Sequence, residues 1–194
     1  LGRLPIDVIV RGFGEKKMER LLAGDDPKSI PGLQIPGSPL EERLEAEEFR
    51  EISMSIDFDR IPYEKYWDYM ESRYTEDHLR LMRNDGMLRT VRLMTSNYCP
   101  MGCTFCSSTN FLNEGSEKKQ RLLQLDADDI IELMQRAAKA HPGTEAFYFN
   151  DDDFMLDADR SVKVASMNED YNLMCMGRVD DVDEEVLDNM EGFR

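Results

Sequence analysis

The sequence predicts an α/β fold in which parallel strands alternate with helices over residues 88–194. The first observation is that three apolar stretches of strand length are each followed by a stretch with helical spacing. The second is that these helical stretches run for roughly ten to sixteen residues, long enough to carry the chain back to a parallel neighbour. The alternation predicts three βα units with right-handed crossovers. The pairs of strand and helix are 88–96 with 126–141, 145–151 with 157–169, and 171–180 with 183–191.

The helix predicted over 126–141 has the clearest pattern. Asp126 is placed to cap its first turn, and Pro142 with Gly143 ends it. Its apolar residues recur at helical steps, which predicts one face turned toward a core. These residues are Ile130, Ile131, Leu133, Met134, Ala137 and Ala138.

The part of the chain before residue 88 is less regular. Residues 6–10, IDVIV, predict a strand, and a glycine turn joins it to a helix that stops at Gly24. Residues 25–39 hold four prolines and two glycines, which predicts a linker. Residues 40–51 are strongly charged and helix-forming. A further helix, laid against a core, is predicted from aromatic and apolar residues at helical steps, namely Tyr63, Tyr66, Trp67, Met70 and Tyr74.

The composition indicates an acidic, folded protein. Hydrophobic residues make up 41% of the chain, enough for a packed core, and the formal net charge is −16. Phosphate binding needs clustered Lys and Arg, so we do not expect nucleic acid as a partner. No apolar run approaches the ~18–20 residues that span a bilayer, and no leader precedes the first strand, which predicts a cytoplasmic protein without a membrane partner. The two ends predict a piece of a longer polypeptide.

Three of the four cysteines lie within eight positions, in the stretch NYCPMGCTFCSS of residues 97–108. Their spacing is Cys99-x3-Cys103-x2-Cys106, directly after the first strand of the parallel sheet. Ligand sites in such folds lie at the carboxyl ends of the strands. A disulfide framework is disfavoured without a secretory leader. Three soft ligands suit zinc or an iron–sulfur cluster.

Neither a closed zinc site nor a simple electron carrier is complete here. Structural zinc takes four ligands, commonly as two pairs, and only one pair with x2 spacing is present. Cys175 and His141 are each alone and distant, and Cys175 is expected to be a buried small hydrophobe. A four-iron cluster held by only three thiolates leaves one iron able to bind a substrate or cofactor.

The cysteine pattern, with Phe105 before the last cysteine, resembles that of the radical S-adenosylmethionine superfamily. The resemblance implies that Cys99, Cys103 and Cys106 hold a 4Fe-4S cluster. It also implies that the open iron chelates S-adenosylmethionine, which an electron from the cluster cleaves to a 5′-deoxyadenosyl radical. An electron donor such as flavodoxin or ferredoxin is then an expected partner.

The resemblance extends to the subgroup that has an upstream cobalamin-binding domain. CPMGCTFCSS, FYFNDDDFMLD and MGRVDDVDEEVLDNME are similar to the signatures of its first three barrel strands, and IDVIVRGFGEKKMERLL to the end of its cobalamin domain. The implied organisation has three parts. Residues 1–24 are the last βα unit of a Rossmann-like cobalamin-binding domain, 25–87 are a linker and helical connection, and 88–194 are the N-terminal half of a radical S-adenosylmethionine (β/α) barrel, about three βα units.

The resemblance also implies roles for residues near the strand ends. Phe105 is expected beside the cluster and the adenine. Asp151 and Asp152 are placed to accept hydrogen bonds from the ammonium of S-adenosylmethionine, with Asn150 sharing the contact, unless these residues form only a solvated turn. Arg178 is expected to meet a carboxylate of the cofactor or of a substrate. Its alternative is a salt bridge to an aspartate two or three positions later.

The predicted function is reductive cleavage of S-adenosylmethionine, for cobalamin-dependent methyl transfer or a radical rearrangement on an unknown substrate. Cobalamin is left open, because His78 and His141 do not fit the D-x-H-x-x-G loop that ligates it. That loop lies upstream, or the protein holds cobalamin without it, or it holds none. The alternatives are a cobalamin-independent radical enzyme such as a methylthiotransferase, and a zinc-stabilised binding module without catalysis.

Overall fold

A computed structural model of the chain describes residues 6–10, 14–35, 46–84, 86–107 and 121–193. The described chain is α/β and divides into two compact units. The first unit consists of Leu1–Ile52 and Tyr98–Leu123, and the second of Ser53–Asn97 and Gln124–Arg194. Within the described ranges, no helix is both long enough and apolar enough to cross a membrane.

The first unit contains a two-stranded antiparallel sheet. Strand β1 (Ile9–Val10) leads to helix α1 (Glu15–Leu22), and β2 (Leu33–Gln34) pairs with β1. The strand predicted over 6–10 is therefore shorter than expected, and the predicted linker contains its partner strand. Gly24, at φ +91°, ends α1 as predicted, since glycine adopts this conformation at little cost.

Helix α2 (Ala46–Met54) begins inside the charged stretch 40–51, which predicted a helix, and continues three residues past its end. Residues 40–45 of that stretch lie outside the described residues. The helix begins in the first unit and ends in the second.

Helices α3 (Tyr63–Arg73) and α4 (Glu76–Asn84) precede the sheet of the second unit. Trp67 is buried, and its Nε1 donates a hydrogen bond to the carbonyl oxygen of Thr90 at 3.3 Å. Tyr66 and Tyr74 are exposed. The predicted helix is confirmed, but the prediction that its whole aromatic set faces the core is wrong, because a surface helix buries only one stripe.

Three parallel strands form the sheet of the second unit, in the order β3-β4-β5. They are β3 (Thr90–Leu93), β4 (Ala146–Phe149) and β5 (Asn172–Cys175). The parallel sheet predicted from the βα alternation is therefore present, with four-residue strands inside the longer predicted stretches. The register sets Leu93 beside Phe149 and Phe149 beside Cys175, so the three carboxyl ends lie at one edge.

The helices that follow these strands are α5 (Ala127–Ala140), α6 (Ala158–Met167) and α7 (Glu184–Asp188). Each begins after an aspartate whose side chain accepts a hydrogen bond from an amide three residues on: Asp126, Asp157 and Asp183. Such a cap satisfies an amide that the helix leaves unpaired. The cap predicted at Asp126 is confirmed, and α5 buries Ile130 and Leu133 as expected.

After α7 the chain returns to the outer edge of β5. The amide of Leu173 donates to the carbonyl oxygen of Gly192 at 2.7 Å, and Leu173 pairs in parallel with Phe193. The ring of Phe193 lies 5.9 Å from that of Phe154, centre to centre. The βα alternation thus continues to residue 193. Closure of this sheet into a barrel stays a prediction.

Candidate functional site

Polar residues that follow β3 and β4 form a buried network at the carboxyl edge of the sheet. Asp151 Oδ1 accepts hydrogen bonds from the amides of Thr95 at 2.5 Å and Ser96 at 3.1 Å. Oδ2 accepts one from the Thr95 hydroxyl at 2.6 Å. Asp151 is 1% exposed. Both oxygens that we expected to meet a cofactor ammonium are therefore occupied by the chain itself.

Arg160, on α6, completes this network. Its Nη2 lies 3.6 Å from Asp151 Oδ2, and its Nη1 donates to the Thr95 hydroxyl oxygen and the Leu125 carbonyl oxygen, both at 3.2 Å. Nη2 also donates to the carbonyl oxygen of Phe154 at 3.3 Å. Burial lowers the pKa of Arg160, and the charge of Asp151 opposes this effect. The two charges compensate each other where water is excluded.

Asp153 lies two residues after Asp151 and is also buried, but it lacks the hydrogen bonds that Asp151 accepts. It is 3% exposed, and neither of its carboxyl oxygens has a hydrogen-bond partner among the described residues. Burial raises the pKa of Asp153, and the nearby charge of Asp181 raises it further. The pKa of Asp153 is therefore displaced upward, and Asp153 is the perturbed carboxyl of this sheet edge.

The other predicted cofactor-binding residues of this unit lie closer to solvent. Asp152 is exposed, and Asn150 is half-buried, with its amide donating to the Leu93 carbonyl oxygen at 2.7 Å. Arg178 Nη2 donates to Asp180 Oδ2 at 2.5 Å. The salt bridge that the sequence left open for Arg178 is thus formed, and the hydrogen bond from its guanidinium raises the pKa of Arg178. Its contact with a cofactor carboxylate stays a prediction.

Cys175 and His141, the candidate fourth ligands for zinc, both lie in the second unit. Burial raises the pKa of the half-buried Cys175 thiol to about 11, with Asp151 and Asp153 adding to the effect. His141 is buried, with Nδ1 2.7 Å from Glu64 Oε1 and Nε2 2.9 Å from the carbonyl oxygen of Phe58. Both ring nitrogens of His141 are therefore engaged within its own unit.

The three clustered cysteines lie in the first unit, and none of them forms a disulfide. Cys99 and Cys106 are half-buried, whereas Cys103 is exposed. The amide of Cys106 donates to the carbonyl oxygen of Cys103 at 3.1 Å, which closes a turn across the x2 spacing. Gly102 has φ +68°, so the backbone reverses just before Cys103 in a conformation that favours glycine.

Phe105, inside this turn, is 91% exposed. An aromatic ring so exposed contributes little to the stability of the described fold. Its predicted place beside a cluster and an adenine stays a prediction. Tyr98, one residue before Cys99, is buried. Burial raises the pKa of Tyr98.

The donor set fits an iron–sulfur cluster in kind, since thiolate is the ligand of such clusters, and its three thiols would leave one iron of a four-iron cluster open. Within residues 6–10, 14–35, 46–84, 86–107 and 121–193, no three side chains of His, Cys, Asp or Glu are gathered closely enough to hold a metal ion. Metal binding requires deprotonated sulfurs and is coupled to the ordering of the ligands. The assignment of Cys99, Cys103 and Cys106 as ligands stays a prediction.

Sequence reasoning missed Thr95, Arg160 and Asp153. One signal was available for Arg160. It lies four residues before the buried Val164 and next to the buried Ser161, so it falls on the inner face of α6. Nothing in the sequence separates Asp153 from its two neighbours, because a run of three aspartates looks uniformly polar.

Comparison with known proteins finds one informative similarity. No protein-family model matches the chain. The chain is 27% identical over 110 residues to cytidylyl-2-hydroxyethylphosphonate methyltransferase of Streptomyces wedmorensis, a match that covers 57% of this chain and 19% of that protein. The chain thus spans about a fifth of the length of this curated relative. It is an α/β chain with a parallel sheet and with distant similarity to a methyltransferase.

Proposed function

We propose that the chain is part of a radical S-adenosylmethionine enzyme that catalyses methyl transfer. The observation that carries the proposal is the set of three cysteines, none of them in a disulfide, at x3 and x2 spacing in the segment that follows β3 of a parallel sheet. The similarity to a methyltransferase supports the class of reaction. Bound by Cys99, Cys103 and Cys106, a 4Fe-4S cluster would supply the electron for reductive cleavage of S-adenosylmethionine.

The chain's own residues have separate tasks in this proposal. The three thiolates hold the cluster. Asp152 is the most solvent-accessible of the three aspartates and is the proposed acceptor for an ammonium group. Arg178, held by Asp180, and Asn150 are the further candidates for cofactor binding. Phe105 is the proposed contact for the adenine.

The remaining parts of the proposal concern the longer enzyme. They are a radical S-adenosylmethionine barrel begun by residues 88–194, a cobalamin-binding domain that ends in residues 1–24, and an electron donor such as flavodoxin or ferredoxin. A rearrangement in place of methyl transfer and a cobalamin-independent enzyme are the alternatives within the same class. Binding of cobalamin to the full-length protein, measured by its visible absorbance after gel filtration, distinguishes the cobalamin-dependent version.

Anaerobic reconstitution with iron and sulfide tests the proposal. We expect about four irons per chain and a broad visible absorbance. With dithionite as the reductant, 5′-deoxyadenosine should form from S-adenosylmethionine. Cys103→Ala should abolish both the cluster and the product, whereas Cys175→Ala, the same change outside the cluster segment, should retain them. Stoichiometric zinc without iron, or product formation by Cys103→Ala, would overturn the assignment.

A further inference from the structure

We propose that Arg160 is a positioning residue, which fixes together the two points where the chain leaves and re-enters the second unit on either side of the cysteines. We call these two points the stem pair: Thr95 and Ser96 on the outgoing side, and Gln124 and Leu125 on the incoming side. We call the hold of Arg160 on the stem pair the clamp. The expected effect of Arg160 on cluster binding rests on the proposed function, whereas the clamp does not.

The stem pair is joined by backbone contacts. The amide of Leu125 donates to the carbonyl oxygen of Thr95 at 2.8 Å. Ser96 and Gln124 pair as an antiparallel bridge. Taken alone, such contacts are a weak hold on the stem pair, because an isolated pair of short strands is scarcely stable in water.

Arg160 strengthens this hold from the side. One nitrogen, Nη1, donates to the hydroxyl oxygen of Thr95 and to the carbonyl oxygen of Leu125, so a single group touches both stems. The other, Nη2, donates to Phe154 and lies 3.6 Å from Asp151, which itself holds the Thr95 amide. The stems are thereby tied to the end of β4.

Only arginine has the geometry for this task. Its planar fork presents five donors in fixed directions, whereas a lysine ammonium is a compact charge on a flexible stem. Arg160 is 7% exposed and lies in the first turn of α6, so its backbone position is set by the helix. Burial of the charge is compensated by Asp151, which has no exposed surface on its side chain.

Loss of the fork should loosen the stem pair. The carbonyl oxygens of Leu125 and Phe154 would lose a buried donor, and unpaired buried groups are costly. Freer stems raise the entropic cost of gathering three thiolates from the segment between them. We therefore expect Arg160 to affect the cluster through the stems, without touching it.

Backbone amide hydrogen exchange of the full 194-residue chain tests the clamp itself. In Arg160→Lys, which keeps the charge but loses the fork, we expect exchange at Thr95, Ser96 and Leu125 to become about 10-fold faster or more, with little change in α5. Arg160→Met should show the same pattern more strongly. The matched control is Arg136→Met, which removes another guanidinium that donates to two carbonyl oxygens, those of Met54 and Ile56 at 2.7 and 2.6 Å.

Iron content and the electron paramagnetic resonance spectrum of the reduced, reconstituted protein form the second arm. We expect Arg160→Lys to hold less than about half the iron of the unmodified chain and to give a broadened spectrum, and Arg136→Met to match the unmodified chain. Equal exchange at the stems in Arg160→Lys, or a uniform acceleration at all amides, would overturn the clamp. If the unmodified chain binds no iron, the proposed function fails, while the exchange result still decides the role of Arg160.

Discussion

His141 and Glu64 are joined by a hydrogen bond within the second unit, with Nδ1 2.7 Å from Oε1. On the other side of the ring, Nε2 lies 2.9 Å from the carbonyl oxygen of Phe58. Each ring nitrogen of His141 therefore faces an oxygen that accepts hydrogen bonds. The contact joins the C-terminal end of α5 to α3.

The first prediction concerns stability in acid. The hydrogen bond from His141 lowers the pKa of the Glu64 carboxyl from its ordinary value of 4.5. Its stabilisation is therefore present above pH 4.5 and is lost as the pH falls through the lower folded value. Glu64→Gln should lower the free energy of unfolding at pH 6 and have no effect near pH 2, measured by urea denaturation. Glu132→Gln, the same change on the exposed side of α5, is the matched control.

The second prediction concerns the buried pair of Asp151 and Arg160. Asp151→Asn keeps the shape of the side chain but removes the charge, and it puts an amide NH₂ in place of one of the two oxygens that together accept three hydrogen bonds. Breaking a buried ion pair by removing one partner costs about 3–5 kcal/mol. We expect a loss of this size in urea denaturation at pH 7. Asp170→Asn, the same change on an exposed residue, should stay within about 0.5 kcal/mol, and an equally small loss for Asp151→Asn would contradict the network.

The third prediction concerns Asp153, where we expect the change to asparagine to raise the free energy of unfolding rather than lower it. The pKa of Asp153 is raised from its ordinary value of 3.8, first by burial and then by Asp181, so its ionised form opposes folding. The stability that its protonated form provides is complete below pH 3.8 and is lost as the pH rises through the folded value. Asp153→Asn should therefore raise the free energy of unfolding at pH 7, by about 1 kcal/mol. The gain should shrink toward pH 3, and a loss at pH 7 would contradict the assignment.

The fourth prediction concerns the reactivity of the cysteines in the metal-free protein. Because the pKa of Cys175 is raised to about 11, only about 0.1% of this thiol is ionised at pH 8, and the thiolate is the reactive form. Iodoacetamide followed by peptide mass spectrometry should therefore modify Cys175 slowly and the exposed Cys103 first. Asp153→Asn removes one of the charges that raise the pKa of Cys175 and should speed its alkylation. Equal rates at Cys175 and Cys103 would contradict the structure.

Local signals in the sequence were sufficient for much of the fold. Asp126 caps a helix through its own neighbours, and Gly24 ends one through its own backbone conformation. The parallel pairing of β3, β4 and β5 was predicted from the strand and helix lengths, whereas their order in the sheet was not. The extent of the strands was overestimated because pairing length depends on the partner strand, which no single stretch contains. Tyr66 and Tyr74 were placed wrongly because the orientation of a helix on its core depends on more than spacing.

By itself the sequence determined the α/β alternation, the capped helices and the spacing of three cysteines, all of which depend on residues a few positions apart. Only the tertiary structure decided the partners and the burial of each aspartate in the run 151–153. Asp151 meets Thr95, which is 56 positions away, and Arg160, while Asp153 is buried with neither oxygen paired among the described residues. The physical reason is that the free energy of a carboxylate is set by the donors and charges that surround it in space. Those groups come from separate strands and helices, and only folding brings them together.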